Sequence, residues 1–577
     1  MQRYDDELAR YEKAIEVAPD SAEAHNNRAL ILNKMKRYDE ALASYGKAIA
    51  LKPQLAELYN NRGVTLQEMG RYDDALADYD KAIALKPDYA NAHNNRGATL
   101  PHLRRYEAAI ASCDTAVRLK PNFPEAYNNR GVALQELSRY DEALASYDRA
   151  IALKPDCGEA YNNRGASLLQ LKRVDDALES CDRAIELKPE YAEAYQTKGT
   201  SLVSKGDMQQ AENMFLKALE LKPDYPDPIF GLVGIRKYQD PNHRDARNIR
   251  SLLDKPGIST LGRDCLYFSL GKIYDDCQLY DEAFECYRQA NRIRSSAVSY
   301  NRDRVAEITA SLIDVFSKDF LAQPLAFASD CESPLFIIGM PRSGTTLMAQ
   351  ILSNHRSIGL AGELPTILEF ISQLPDLVGK RIPYPQSVKD LTPAMGTRLV
   401  SDYAKRLRRD IDAEVPRVID KHPLNFMHLG FISMLFPKAR IIHCMRNSMD
   451  TGLSNYFQRF TFFYDYSFEL RNIGHFYGQY MRIMKHWRKV LPNALIEVGY
   501  EDMIMNTEQV ARRTLDALGL EWDERCLAPH TNPHAVDTAS KWQVRQPIYR
   551  ESVNRWRHYE KHLAPLKEAL DVAGSEL

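Results

Sequence analysis

Residues 334–352 run Pro334-Leu-Phe-Ile-Ile-Gly-Met-Pro-Arg-Ser-Gly-Thr-Thr-Leu-Met-Ala-Gln-Ile-Leu352. The apolar, β-branched run 334–338 predicts a buried parallel strand, and the pattern of residues 345–352 predicts an amphipathic helix. A glycine-rich loop between a strand and a helix exposes free backbone N–H groups and the positive end of the helix dipole. The stretch therefore predicts an α/β domain with a phosphate-binding loop.

The spacing of Gly339 and Gly344 is that of a Walker A loop, but Thr345 stands where that loop has its lysine. A nucleoside triphosphatase needs this lysine on the β- and γ-phosphates, together with magnesium ligands. Arg342 inside the loop and Thr346 after it suit a single phosphate. The substitution argues against a kinase or GTPase.

A second strand-to-helix turn lies about 100 residues further along the chain. Residues 439–446 form an apolar run that ends in Arg446, and residues 447–454 continue as a predicted helix that includes Ser454. An arginine and a serine on the two sides of such a turn can reach one phosphate group. This turn is therefore a second candidate phosphate contact.

The segment Ile-Ile-Gly-Met-Pro-Arg-Ser-Gly-Thr-Thr-Leu-Met resembles the 5′-phosphosulfate loop of sulfotransferases, most closely that of the tyrosylprotein sulfotransferases. The resemblance implies the donor 3′-phosphoadenosine 5′-phosphosulfate, abbreviated PAPS. Arg446 and Ser454 resemble the pair that binds the 3′-phosphate in that family. The residues that the resemblance assigns to the loop are Arg342, Ser343, Gly344, Thr345 and Thr346.

Other family positions follow in the same order. Lys421, before a proline turn, is implied to lie near the sulfonate, and Tyr500 is implied to lie beside the adenine. Ser540 and Arg555 match positions that contribute a serine and a basic residue to the nucleotide phosphates. The tyrosylprotein family usually has lysine at the second of these positions, and Arg545 competes with Arg555 for the role.

Glu363, in Ala361-Gly-Glu-Leu-Pro365, resembles the family glutamate that takes the proton of the acceptor hydroxyl. The second acidic residue of that motif is Leu364 here, a departure that affects the contacts to a peptide acceptor. His422 and His355 are rival bases, because the small-molecule sulfotransferases use histidine.

The family chemistry is an in-line transfer of a sulfonate with negative charge growing on the bridging oxygen. Arg342 and Lys421 are expected to balance that charge, Glu363 is expected to act as the base, and no metal is required. The acceptor hydroxyl is a candidate protein tyrosine. Two alternatives remain open: an acceptor hydroxyl on a glycan or lipid, and a non-catalytic scaffold with a degenerate nucleotide-binding domain.

The first half of the chain is repetitive. Prolines recur every 34 residues, at Pro19, Pro53, Pro87, Pro121, Pro155, Pro189 and Pro223. A fixed period of this length predicts a solenoid, and the apolar spacing within each unit predicts a pair of helices. The pattern resembles the tetratricopeptide repeat (TPR) in its period, in the small residue on the first helix, in the Tyr and Ala on the second helix and in the closing Pro. The resemblance implies an all-α superhelix with a concave face for a protein or peptide partner. The alternative is that the array only supports or dimerises the catalytic domain.

These observations predict a multidomain chain, an all-α TPR superhelix followed by an α/β, P-loop-like domain with a central parallel sheet. The expected bounds are TPR repeats over 1–223 with an incomplete first unit, degenerate helical repeats over 224–300, a connector over 301–332 and a sulfotransferase domain over 333–577. Pro101 is expected to kink one helix without ending the array.

Composition narrows the classes of function. The net charge of −2 gives no support for a nucleic acid partner, and the nine scattered cysteines fit neither a disulfide framework nor a zinc site. No apolar run is long enough for a transmembrane segment, and the first residues do not resemble a signal peptide. We therefore expect a cytoplasmic protein, with the reservation that an upstream segment can be missing from a chain that starts inside a repeat.

Overall fold

The protein divides into two compact units, Met1–Ser201 and Leu202–Leu577. A computed structural model describes residues 2–409, 411–460, 462–491, 495–532 and 548–575. Within these ranges, no helix combines the length and the apolarity that crossing a bilayer requires.

The first unit is all-α, as the sequence predicts. A 3₁₀ helix, Leu100–Leu103, follows α6 at the position of Pro101, and α7 begins in register with its neighbours. The helices are α1 (Gln2–Val17), α2 (Ala22–Lys34), α3 (Tyr38–Leu51), α4 (Ala56–Glu68), α5 (Tyr72–Leu85), α6 (Ala90–Thr99), α7 (Tyr106–Leu119), α8 (Pro124–Glu136), α9 (Tyr140–Leu153), α10 (Gly158–Gln170), α11 (Val174–Leu187) and α12 (Ala192–Lys205), which runs past the end of the unit.

Glycines on the first helix of a pair lie close against the second helix: Gly63 and Gly131 face tyrosines, whereas Gly97 and Gly165 face cysteines. A Cβ atom on Gly63 would lie 2.7 Å from Cε1 of Tyr79, whose side chain is fully buried. Neighbouring pairs are joined by hydrogen bonds such as Asn61 Nδ2 to Asn26 Oδ1, 3.1 Å. The sequence period thus reflects a repeated packing requirement.

The second unit begins with more helix pairs. They are α13 (Met208–Leu221), α14 (Pro226–Ile235), α15 (Arg244–Leu253), α16 (Thr260–Asp276), α17 (Tyr280–Ser295), α18 (Arg302–Val315) and α19 (Lys318–Leu321). The expected connector 301–332 contains the last two of these helices. Phe316, between them, is fully buried, and its carbonyl accepts a hydrogen bond from His486 Nε2 at 2.9 Å. The segment is therefore an integral part of the packed unit.

A parallel sheet forms the centre of the C-terminal part. In the described residues it has five strands, in the order β2-β3-β1-β4-β5. Leu335 and Ile337 are buried on one face and Phe336 and Ile338 on the other, because helices cover both faces. The predicted fold class is confirmed. The strands are β1 (Pro334–Gly339), β2 (Ile358–Gly362), β3 (Arg417–Lys421), β4 (Arg440–Met445) and β5 (Leu495–Gly499).

The helices around the sheet connect the strands and cover their faces. They are α20 (Thr345–Ser353), α21 (Thr366–Leu377), α22 (Pro393–Leu407), α23 (Leu429–Leu435), α24 (Ser448–Tyr456), α25 (Leu470–Val490), α26 (Tyr500–Met505), α27 (Thr507–Ala517) and α28 (Ala564–Ser575). Short 3₁₀ helices also occur, among them Arg555–His562.

Candidate active site

The carboxyl ends of the five strands lie at one edge of the sheet, since every strand pairing is parallel. Glu363 follows β2, Lys421 ends β3, and the loop 339–346 follows β1. Arg446 follows β4, and Tyr500 follows β5. Ligands of open α/β sheets bind at this edge, where the strand order changes direction. The fold thus places one predicted site residue or loop at the end of each described strand.

The loop after β1 is shaped for an anion. Gly344 has φ +97°, and a Cβ atom there would lie 2.5 Å from Cδ2 of Tyr500. Thr345 and Thr346 begin α20, whose N-terminus faces the loop. Ser343 Oγ is buried, and within the described residues it has no hydrogen-bond partner. A buried hydroxyl of this kind calls for a ligand atom, and a phosphate oxygen meets that need.

Arg342 lies among other cations. Its Nε donates to Ser454 Oγ at 3.0 Å, so this serine contacts the first loop across the sheet edge. Removal from water lowers the pKa of Arg342 to about 10, and the charges of Arg446 and Arg555 act in the same direction. A buried arginine whose pKa is lowered beside two other arginines favours a ligand that has several negative charges.

Arg446 is fixed by backbone and aromatic contacts. Its Nη1 donates to the carbonyl of Arg342 at 3.0 Å, and its Nη2 donates to the carbonyl of Ser552 at 2.6 Å. The guanidinium carbon lies 4.6 Å from the centre of the Tyr500 ring. Nε is buried, and among the described residues it has no partner. An N–H group is therefore left for a ligand oxygen.

Ser552 is a site residue that the sequence analysis missed. Besides accepting from Arg446, it shares a 2.7 Å hydrogen bond between its Oγ and the hydroxyl of Tyr500. Tyr500 is itself buried beneath the loop at Gly344. No local sequence signal distinguishes Ser552 from a surface serine.

Glu363 and Lys421 form an ion pair between Oε1 and Nζ. The Lys421 side chain is 3% exposed and that of Glu363 26%, so the acid is the member of the pair that faces solvent. Burial and then the charge of Glu363 raise the pKa of the Tyr464 hydroxyl, which places that ring near the carboxylate. The arrangement combines an accessible carboxylate with a buried ammonium group.

Asp420, directly before Lys421, is a second residue that was missed. It is fully buried, and Tyr403 donates to its Oδ2 at 2.8 Å. Burial raises the pKa of the Asp420 carboxyl to about 7. The available signal was an acidic residue inside the apolar strand Val418-Ile-Asp-Lys, since an unpaired carboxylate there is costly to bury.

The two rival bases lie in different places. His422 follows β3 at the site edge, its Nδ1 is buried without a partner among the described residues, and burial lowers its pKa. His355 precedes β2, at the opposite edge of the sheet. One of its ring nitrogens lies 2.9 Å from the carbonyl of Glu521 and the other accepts from the amide of Ser357. His355 is thus away from the other site residues.

Arg555, at the start of the 3₁₀ helix Arg555–His562, pairs with Asp275 at the end of α16. Burial acts to lower the pKa of Arg555, but the charge of Asp275 raises it overall. Ser540 and Arg545 lie outside the described residues.

The segment 456–477 is rich in Tyr and Phe. Tyr466 and Phe468 in this segment are buried in the core, whereas Tyr464 is only partly buried.

Comparisons with known proteins agree with both halves of the fold. Residues 334–524 match the model of the Sulfotransferase family, and tetratricopeptide repeat models match segments between residues 11 and 296. The crystal structure of YrrB, a TPR protein with an unusual peptide-binding site, superposes with a TM-score of 0.27 and 27% identity, covering 33% of this chain and 97% of that one.

Two curated proteins illustrate the relatives. An uncharacterized protein of Aquifex aeolicus is 34% identical over 336 residues, which cover 57% of this chain and 44% of that protein. The protein-tyrosine sulfotransferase of Drosophila melanogaster is 25% identical over 244 residues, which cover 39% of this chain and 47% of the enzyme. The chain thus spans slightly less than half the length of each of these relatives.

Proposed function

The chain joins tetratricopeptide repeats to a domain of the sulfotransferase family, and from this premise we propose that it transfers a sulfonate from PAPS to an acceptor hydroxyl. The observation that supports the proposal most strongly is the meeting of two groups at one sheet edge. The first is the anion-binding set around Ser343 Oγ and the three arginines. The second is the Glu363–Lys421 pair.

The donor phosphates are assigned to the two loops. Ser343, Gly344, Thr345 and Thr346 bind the 5′-phosphate, because this loop has the buried hydroxyl and the helix N-terminus. Arg446 and Ser454 contact the 3′-phosphate, with Arg555 as a further cation. Two phosphate groups and a sulfonate match the concentration of positive charge at this edge.

PAPS supplies an activated sulfonate, whose transfer breaks the sulfur–oxygen bond to the phosphate and forms a bond to the acceptor oxygen. Glu363 accepts the acceptor proton, and Lys421 and Arg342 balance the charge that grows on the phosphate oxygen. Without a donor, Glu363 and Lys421 neutralise one another. An anionic donor group that attracts Lys421 would leave the carboxylate free to accept a proton.

We infer that the acceptor is a tyrosine in a protein. The relative from Drosophila melanogaster is a protein-tyrosine sulfotransferase. Repeats of the tetratricopeptide type suit a protein or peptide partner on their concave face. Tyr464, near Glu363, offers an aromatic surface to an incoming ring.

The test is transfer of label from radiolabelled PAPS to separate protein, glycan and lipid fractions. We expect label on tyrosine in the protein fraction, and we expect Glu363→Gln and Arg342→Ala to lose it. Glu521→Gln is the matched control, because Glu521 has an exposed side chain away from the sheet edge. Label in glycan or lipid alone would refute the tyrosine acceptor. No label in any fraction would favour a non-catalytic scaffold.

A further inference from the structure

The last repeat-like helix pair, α16 and α17, packs directly on the sulfotransferase domain within the second unit. The ring of Tyr287 stacks on Phe457 with centroids 3.9 Å apart, and Phe284 stacks on His562 at 4.4 Å. Both partner residues belong to segments next to predicted phosphate contacts. Phe457 follows α24, and His562 ends the 3₁₀ helix that begins at Arg555.

Polar contacts fix the end of α24 in the same way. Asn291 Nδ2 in α17 donates to the carbonyl of Tyr456 at 2.8 Å, and Arg294 donates to the carbonyl of Phe460. Both side chains are almost fully buried. The helix that contains Ser454 therefore ends against α17.

Asp275, in the last turn of α16, binds two residues of the 3₁₀ helix. Its Oδ2 accepts from Nη2 of Arg555, and its Oδ1 accepts from the hydroxyl of Tyr559. The Asp275 side chain is 15% exposed and that of Arg555 is 32% exposed. A charge-assisted bond of this kind limits the orientations of the guanidinium.

The backbone around Arg555 is fixed from the other side. The Asp450 carboxylate in α24 accepts from the amide of Asn554 at 2.7 Å and from that of Trp556 at 2.9 Å. Among the described residues, Nη2 is the only guanidinium nitrogen of Arg555 with a protein hydrogen bond. Within that part of the chain the remaining N–H donors have no protein acceptor, and the charge of Arg555 acts on Arg342.

We propose that Asp275, a residue of the repeat region, is a positioning residue of the nucleotide site: it fixes Arg555 so that the remaining guanidinium donors bind a phosphate of the donor. This inference rests on the proposed function. It makes the last repeat pair a part of the donor site, in addition to any role in partner binding. Asp275 itself touches no substrate.

Calorimetry on the full chain tests the inference with adenosine 3′,5′-bisphosphate and with the 3′- and 5′-monophosphates of adenosine. Asp275→Asn keeps the size of the side chain and an acceptor for Tyr559 but removes the charge that orients Arg555. We expect about tenfold weaker binding of the bisphosphate. We expect Asp275→Asn to weaken the binding of only one of the two monophosphates. It should be the same monophosphate whose binding Arg555→Gln weakens.

The matched control is Asp281→Asn. Asp281 in α17 pairs with Lys561 Nζ at 2.7 Å and His562 Nε2 at 2.7 Å, so the substitution removes an ion pair from the same interface without touching Arg555. We expect nucleotide binding of this variant to equal that of the wild type. In the double variant of Asp275→Asn with Arg555→Gln, we expect no loss beyond that of Arg555→Gln alone.

Each other result contradicts a defined part of the account. If the wild type binds no bisphosphate, both the proposed function and this inference are wrong. If the wild type binds it and Asp275→Asn binds equally well, only the inference is wrong. If Asp275→Asn weakens the binding of both monophosphates, or if Asp281→Asn also weakens nucleotide binding, the Asp275–Arg555 pair is only a structural contact. Thermal unfolding of each variant separates misfolding from a binding defect.

Discussion

At the scale of single residues, the end of β3 gives two neighbouring ionisable side chains of the proposed site different surroundings. Lys421 is buried and reaches Glu363, while Asp420, one residue earlier, points to the hydroxyl of Tyr403. Successive residues of a strand face opposite sides of the sheet, so the two neighbours have separate partners. One short segment thus supplies both an ammonium group for the site and a buried carboxyl group beneath it.

Asp420 makes the free energy of unfolding depend on pH. Its carboxyl pKa is about 7 in the folded protein and about 3.9 in an unfolded chain. Between these values the folded state holds a proton that the unfolded state has lost, so stability falls as pH rises through this window and levels off above it.

Across the whole pH window, the free energy of unfolding changes by at most about 4 kcal/mol. The Asp420→Asn variant lacks this contribution. Its free energy of unfolding in urea should therefore differ less between pH 5 and pH 8 than that of the wild type. Parallel pH dependences of the two proteins would contradict the assignment.

Arg342, Lys421 and Glu363 stay predictions that rest on the order of the motifs along the chain, and several contacts of these residues were not predictable at all. The sequence could not indicate that Glu363 and Lys421 contact each other, because they are 58 positions apart and meet only through the pairing of β2 with β3. Ser552 has no motif, since its carbonyl and hydroxyl act at positions that only the fold defines.

At the scale of elements, the loop after β1 depends on close packing under its last glycine. Gly344 has a left-handed backbone, and the buried ring of Tyr500 leaves no room for a side chain there. Tyr500 cannot move aside easily, since it is bonded to Ser552 and stacked beneath Arg446. The phosphate loop and the start of α26 therefore hold one another in place.

Gly344→Ala should lower the free energy of unfolding by about 2 to 4 kcal/mol, from backbone strain and overpacking together. Binding of adenosine 3′,5′-bisphosphate should fall more than tenfold, because the loop cannot keep its shape. Gly519→Ala is the control: Gly519 has φ +71° but nothing within 4 Å of its Cβ position. Gly519→Ala should lower the free energy of unfolding by about 1 kcal/mol and leave nucleotide binding unchanged. Equal effects of the two substitutions would contradict the packing argument.

Strands and helices near the motifs were predictable because their patterns are local. Residues 334–338 are uniformly apolar, and the structure gives β1 as Pro334–Gly339. The helices α18 and α19 were missed as elements, since the connector was expected only from its position between two domains. Phe316 is buried there by contacts with Trp487 and Gly430, which are distant in sequence.

At the scale of the whole molecule, the last repeat-like helices and the sheet are packed together in the second unit. The helices α16 and α17 belong to the same compact unit as the sheet, and they contribute Asp275, Phe284 and Tyr287 to its packing. A buried pair, Arg294 with Asp264, adds to this contact, since Arg459 of the C-terminal region also reaches Asp264.

A fragment that retains residues 192–577 should therefore fold and bind the bisphosphate nucleotide, because it keeps α12 whole and the entire second unit. A fragment of residues 301–577 should aggregate or lose binding, since it exposes the aromatic surface that α17 covers. Solubility, near-ultraviolet circular dichroism and calorimetry measure the difference. A well-folded, binding-competent 301–577 fragment would show that the second unit does not need α16 and α17.

The repeat period predicted the all-α first half, because each 34-residue repeat packs its first helix closely on its second. The packing of the last repeat pair on the sheet region was not accessible to the same reasoning. Tyr287 occupies the usual large-residue position opposite Gly271, yet it also packs on Phe457. A repeat that packs on the sheet region as well as on its own helix pair has the same local sequence pattern as a repeat that packs only on other helices.

The most direct test of the central claim is the rate at which the full chain converts PAPS to adenosine 3′,5′-bisphosphate, with and without a cell extract that supplies acceptors. We predict product formation that depends on the extract. Glu363→Gln should reduce this rate by about 100-fold or more and leave the affinity for the bisphosphate unchanged. A wild type that forms no product, or a Glu363→Gln variant as fast as the wild type, would contradict the account.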